Sequence, residues 1–187
     1  MLSGATKLSS SMTVAKYKDL EKAGDRKSLA HFIQQRFEER YFSPVEDSPS
    51  KNGFASLAVS CLVIEALESF YQGKASTKDS SKQMFRDFFE RDTPLKVFAS
   101  HDDWFYYDIR CGILHQAEAR NGWRVLRNGS LLDCGGRTIN ATRFLRALRR
   151  TVAEYAQAIT ADDTLWGKFQ LKMEAVCDNC VPCAGRQ

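Results

Sequence analysis

Residues 106–123 read "YYDIRCGILHQAEARNGW", an apolar and aromatic helical stretch that ends at a Gly-containing turn. Inside it Arg110 and His115 are separated by four residues, on a segment that otherwise reads as buried. An arginine is always charged and presents a fork of donors suited to a phosphate. A histidine titrates near neutral pH and can move a proton. Together they are a minimal kit for breaking an RNA strand without a metal. One group takes or gives the proton at the 2′-hydroxyl or the leaving oxygen, and the other stabilises charge on the phosphorus oxygens. The competing reading is structural: an ion-paired arginine and a hydrogen-bonded histidine, each satisfied within a core.

The spacing limits how the pair can work. Five positions on an ideal helix turn through about 140°, from 3.6 residues per turn, so the two side chains do not share a face. Three arrangements overcome this. The long arginine side chain wraps round the helix, the helix distorts near Gly112, or a second copy of the helix supplies matching groups across a two-fold axis.

The elements that must position the pair read as helices. Residues 25–43 carry Leu29, Phe32, Ile33, Phe37 and Tyr41 at spacings of three and four, with Pro44 as the expected stop. Residues 53–72 are apolar nearly all round up to Ile64, which predicts a central helix ended by Gly73. Ser60, Glu65, Glu68, Ser69 and Gln72 are its main polar positions. Residues 80–91 form a shorter helix with Met84, Phe85, Phe88 and Phe89 inward, and the helix of the Arg–His pair spans 104–119. Asn128-Gly129, between Trp123–Leu126 and Leu131–Leu132, predicts a two-residue β-hairpin. Residues 140–160 form the last long helix, capped by Asn140, with Leu145, Leu148, Val152, Tyr155, Ala156 and Ile159 inward. An amphipathic piece over 165–176 leads into the tail "CDNCVPC". The sum is an all-α helical bundle with a small β-hairpin between the motif helix and the last long helix. Residues 1–24 read as a flexible leader, 25–160 as the helical domain, and 161–187 as a C-terminal helix with a cysteine-containing tail.

Composition sets outer limits. The 187 residues suit one domain, and 43% apolar with 27% charged residues is an ordinary globular profile. The net charge of +4 permits a polyanionic partner without requiring one. No continuous apolar run reaches the length of a membrane span and no secretory signal is recognised, so the expected location is cytoplasmic with thiols reduced and no membrane partner. Eight arginines fall between 120 and 150 against Asp133 as the only acid. Arg120, Arg124, Arg143, Arg146 and Arg150 are candidates for a phosphate-tracking surface beside the motif helix, the alternative being a solvated face. Trp123 is either core or a stacking platform for a base. Asp108, Gln116 and Glu118 are secondary candidates as polar neighbours of the pair. Cys177, Cys180 and Cys183 supply three of the four ligands a structural zinc site needs, so no metal is assigned to them. His31 reads as helix surface, and Asp102 and Asp103, after His101, as capping carboxylates.

The segment "RCGILH" at 110–115 fits the R-x4-6-H motif of HEPN domains, and residues 25–160 resemble that superfamily. "LVIEALESFYQG" at 62–73 is similar to the second helix of its abortive-infection and mobile-element branch. "YDIRCGILHQAE…NGW" is similar to the motif helix and the start of the following strand. The resemblance implies an all-α domain that dimerises and, in many members, a metal-independent endoribonuclease of toxin or phage-defence type. It implies catalysis by Arg110 and His115 in a dimer cleft, with RNA as substrate and no cofactor. It also implies a possible antitoxin or nucleotidyltransferase-type partner. Cys111 stands where active members commonly carry a polar residue. The alternative is therefore a non-catalytic HEPN module that binds RNA or regulates a partner protein.

Overall fold

The computed structural model describes residues 4–47, 52–91, 93–99 and 103–180. These fold as an all-α bundle with a small, unclosed three-stranded sheet. The helices are α1 (Val14–Lys22), α2 (Arg26–Phe37), α3 (Ser43–Glu46), α4 (Gly53–Gln72), α5 (Ser81–Glu90), α6 (Cys111–Gln116), α7 (Ala141–Ala158) and α8 (Asp163–Asp178). The strands are β1 (Arg124–Leu126), β2 (Leu132–Asp133) and β3 (Thr138–Asn140).

Helix α4 is the hub and packs against α7, α5 and α8, while α2 packs on α7 and α1. Its apolar composition explains the position, since Leu57, Val63, Ile64 and Leu67 lose all solvent contact. By length and composition α4 could also cross a membrane, contrary to the expectation that no run is long enough. In the bundle it is a core helix. Gly73 ends it with φ of 69°, and a Cβ there would lie 3.1 Å from the Lys168 Cα of α8. The stop is therefore also a close helix crossing. Asn140 caps α7 by accepting from the Arg143 N–H at 3.0 Å.

One polar network crosses the core. Glu68 of α4 is fully buried and accepts from Arg91 Nε at 2.8 Å and from a terminal guanidinium nitrogen at 2.6 Å. Gln72 joins Glu68 to Asp87 of α5 at 2.8 Å each, and the Arg91 guanidinium sits 4.1 Å over the Tyr71 ring. Burial is tolerable because the carboxylate is matched by a forked cation and an amide.

Several expectations are corrected. Residues 4–24, expected as a flexible leader, carry α1 and bury Leu8, Met12, Val14 and Tyr17 in the core. Pro44 does not end the second helix. A π-helical turn, Glu38–Phe42, carries the chain on into α3, where Pro44 falls in the first turn and needs no backbone donor. The Asn128-Gly129 turn does not close a hairpin between β1 and β2. Strand β3 lies between them in the order β1-β3-β2, parallel to β1 with Val125 opposite Ile139, and antiparallel to β2. Ile139 is fully buried, so the strand with the best core residue takes the central place.

Candidate functional site

The motif helix is two pieces. Phe105–Arg110 is π-helical, and Cys111, the first residue of α6, still donates its N–H to the Tyr106 carbonyl, five residues back. The first piece is anchored by its aromatic side chains. Phe105 stacks on Phe144 of α7 at 5.4 Å and meets Phe89 of α5 at 5.0 Å, and Ile109 is fully buried. Trp104 stacks on Trp123 with ring centres 4.0 Å apart and planes 10° apart. Trp123 thus spends one face on a protein ring. Asp103, expected as a cap, instead accepts from Arg86 at 2.9 Å and pairs with Lys82, tying the start of the helix to α5. His101 and Asp102 lie outside the described residues.

The second piece is short because the chain turns back on it. Ala117 is left-handed with φ of 55° and ends α6. The Arg120 N–H then bonds the Asp108 carbonyl at 2.8 Å, and Asn121 Nδ2 bonds the Asp108 carboxylate at 2.8 Å. Gly112 permits this return, since a Cβ there would lie 2.5 Å from the Glu118 carbonyl oxygen.

Arg110 and His115 separate on this scaffold. The Arg110 guanidinium turns to α4, donating Nε and a terminal nitrogen to Glu65 Oε1 at 3.1 and 2.9 Å, with its centre 5.4 Å from the Tyr106 ring. Burial opposes its charge, but the Glu65 carboxylate more than compensates, so its pKa rises and it stays a cation. Together with Glu65 it forms the polar part of an otherwise apolar groove of about 160 Å³, walled by Ala58, Val59, Leu62, Ile113 and Leu114. Leu62 and Leu114 are 56% and 59% exposed there. Cys61 adds a thiol that burial pushes up to about 12, which keeps it protonated. His115 lies at the end of α6, exposed and outside the walls of the groove. A single chain does not gather the two groups into one cleft.

The secondary candidates divide. Asp108 is committed to Asn121, and Glu118 accepts from the Ala119 N–H at 2.9 Å. Gln116 is exposed. Among the proposed phosphate contacts, Arg143, Arg146 and Arg150 are exposed on α7 and have no ion-pair partner among the described residues. Arg120 lays its stem against Gly112, and Arg124 donates to the Gly136 carbonyl at 3.2 Å. Cys177 is buried and Cys180 half-buried on the last helix and its end, and Cys183 lies outside the described residues. His31 is exposed, as expected. Glu65 is the functional candidate that sequence reasoning passed over as merely polar. Its signal was a carboxylate at the middle of the most apolar helix. No protein family, no curated protein and no solved structure matches the chain.

Proposed function

We propose that the protein is a HEPN-type, metal-independent endoribonuclease that works as a homodimer. The observation that carries this reading is the location of Arg110: a held, protonated guanidinium set in an exposed apolar groove between α4 and α6. A second copy laid across Leu62 and Leu114 would cover that apolar surface and bring its own His115 toward the Arg110 of the first. In such a cleft the 2′-oxygen attacks the adjacent phosphorus, the 5′-oxygen leaves, and a 2′,3′-cyclic phosphate forms. His115 takes the proton from the 2′-hydroxyl and delivers it to the leaving 5′-oxygen, and Arg110 steadies the charge on the non-bridging oxygens. Arg143, Arg146 and Arg150 would hold flanking phosphates. The function would be that of a toxin or phage-defence enzyme.

A second reading, a non-catalytic HEPN module that binds RNA or a partner protein, is favoured by one contact. Glu65 already satisfies Arg110 in the free chain, as it would in a purely structural pair. Incubation of the purified protein with total RNA in EDTA separates the two. Cleavage in the wild type, lost in both Arg110→Ala and His115→Ala, is the expected result. Intact RNA with retained RNA binding would establish the module instead, and absence of both cleavage and binding would end both readings.

A further inference from the structure

The head of α4 forms a second polar site, distinct from the Arg110 groove. A cleft of about 460 Å³ opens where the chain leaving β1 meets the first turns of α4 and α7. Arg127, Arg146, Arg149, Asn52 and Ser56 line it, with Glu46 as the one carboxylate among the described residues of its lining. Arg149 is already engaged. It pairs with Glu38 at 2.9 Å and Glu46 at 2.8 Å and lies over the Phe42 ring at 5.1 Å, while its buried Nε has no acceptor. Arg127 and Arg146 have no ion-pair partner among the described residues, so the cleft carries uncompensated positive charge.

The backbone adds to that charge. Asn52 stands at the N-cap of a twenty-residue helix without capping it. Its side-chain amide donates to the Val45 carbonyl instead, and its side-chain oxygen lies 3.4 Å from Ser56 Oγ. Among the described residues, the first-turn N–H groups, at the positive end of the helix dipole, therefore have no side-chain acceptor. Arg127 is held in place from two sides. A Cβ on Gly53 would lie 3.1 Å from Arg127 Cγ, so the glycine lets the arginine stem lie on the first turn of α4. Asn140 Nδ2 donates to the Gly129 carbonyl at 3.0 Å and fixes the turn that follows Arg127.

We infer that this cleft binds a phosphoryl group, with Arg127 and Arg146 as the gripping forks and Asn52 and Ser56 at the head of α4 as part of its lining. Two guanidinium forks match the tetrahedral array of acceptors on a phosphate, and the positive end of the α4 dipole beside them favours the same charge. The paired Glu38 and Glu46 hold Arg149 as a fixed wall of the cleft. The phosphate can belong to a nucleic-acid backbone or be terminal or free. The assignment is independent of whether Arg110 and His115 cleave RNA.

Calorimetric titration with inorganic phosphate, at fixed ionic strength and with chloride as the reference anion, tests it. The wild type should bind saturably. Arg127→Gln with Arg146→Gln should weaken binding about tenfold or more, as expected for loss of charge-assisted hydrogen bonds. Both side chains are exposed, so circular dichroism should be unchanged. Lys74→Gln with Lys78→Gln removes the same charge from exposed sites elsewhere and should leave binding intact. Short 2′-deoxy oligonucleotides, which cannot cleave through a 2′-oxygen, identify the source. Preference for a 5′-phosphorylated strand assigns a terminal phosphate, and equal binding with and without it assigns a backbone diester. Absence of saturable binding, or equal binding by the Arg127/Arg146 double variant, overturns the inference.

Discussion

Gly112 sits at the tightest contact of the motif helix. Any Cβ there meets the carbonyl of Glu118 at 2.5 Å, a backbone atom that cannot swing aside. Gly112→Ala should therefore cost about 1–3 kcal/mol, the range for forced overpacking, in spite of alanine's better helix propensity. Urea unfolding would measure it, and a neutral or stabilised variant would refute the close return of residues 117–121. Glu68 offers a second case at this scale. Glu68→Ala leaves the Arg91 guanidinium facing Tyr71 without its carboxylate. Removing one partner of a fully buried pair costs roughly 3–5 kcal/mol, and partial exposure of Arg91 should lower this to about 2. Glu68→Gln keeps the shape and accepts one hydrogen bond, so it should fall between the wild type and alanine in the same assay.

At the scale of elements, the legible parts were those with local signals. The apolar character of α4, the inward face of α7 and its Asn140 cap all lie within one segment of chain, where periodicity and side-chain chemistry can be read. The parts that were not legible depend on distant partners. A π-helical turn differs from an α-helical one by which carbonyl accepts, and Phe105–Arg110 carries no compositional mark of that choice. Strand β3 won its central place because Ile139 reaches the core, which the Asn128-Gly129 pattern cannot reveal. Glu65 was visible as a polar residue, but its partner lies 45 positions away. Residues 4–24 read as a leader in sequence because serines and lysines surround Leu8, Met12, Val14 and Tyr17, whose burial depends on distant helices. One element-level link is testable by pH. The hydrogen bond from Lys82, opposed by partial burial and aided by Arg86, holds the Asp103 carboxyl below its usual 3.8. A depressed carboxyl contributes stability above its unfolded pKa and loses it as pH falls through the lower folded value. The wild type should thus lose thermal stability as pH drops below about 3.8. Asp103→Asn should start from a lower Tm near pH 6 and fall less steeply in acid; parallel curves would show that the α5 tether carries no net stability.

For the whole molecule, the proposed dimer makes a demand that a monomeric site does not. If each cleft takes Arg110 from one copy and His115 from the other, inactive variants should complement each other. In a heterodimer of Arg110→Ala and His115→Ala chains, one cleft combines the intact arginine of one copy with the intact histidine of the other. The second cleft has lost both groups. Random reassortment of equal amounts makes half of the dimers mixed, each with one working cleft of two, so activity should recover to roughly a quarter of wild type. If both groups acted from the same chain, every cleft would lack one of them and mixing would restore nothing. The interface itself has a separate readout. Leu62→Glu and Leu114→Glu place charges on side chains more than half exposed in the single chain, so the fold should survive within about 0.5 kcal/mol. The same charges buried between two copies would be unpaired and costly, so light scattering should report a monomer. Applied to the complementing pair, either leucine substitution should abolish the recovered activity, whereas recovery that persists in a monomer would rule out a cleft shared between copies.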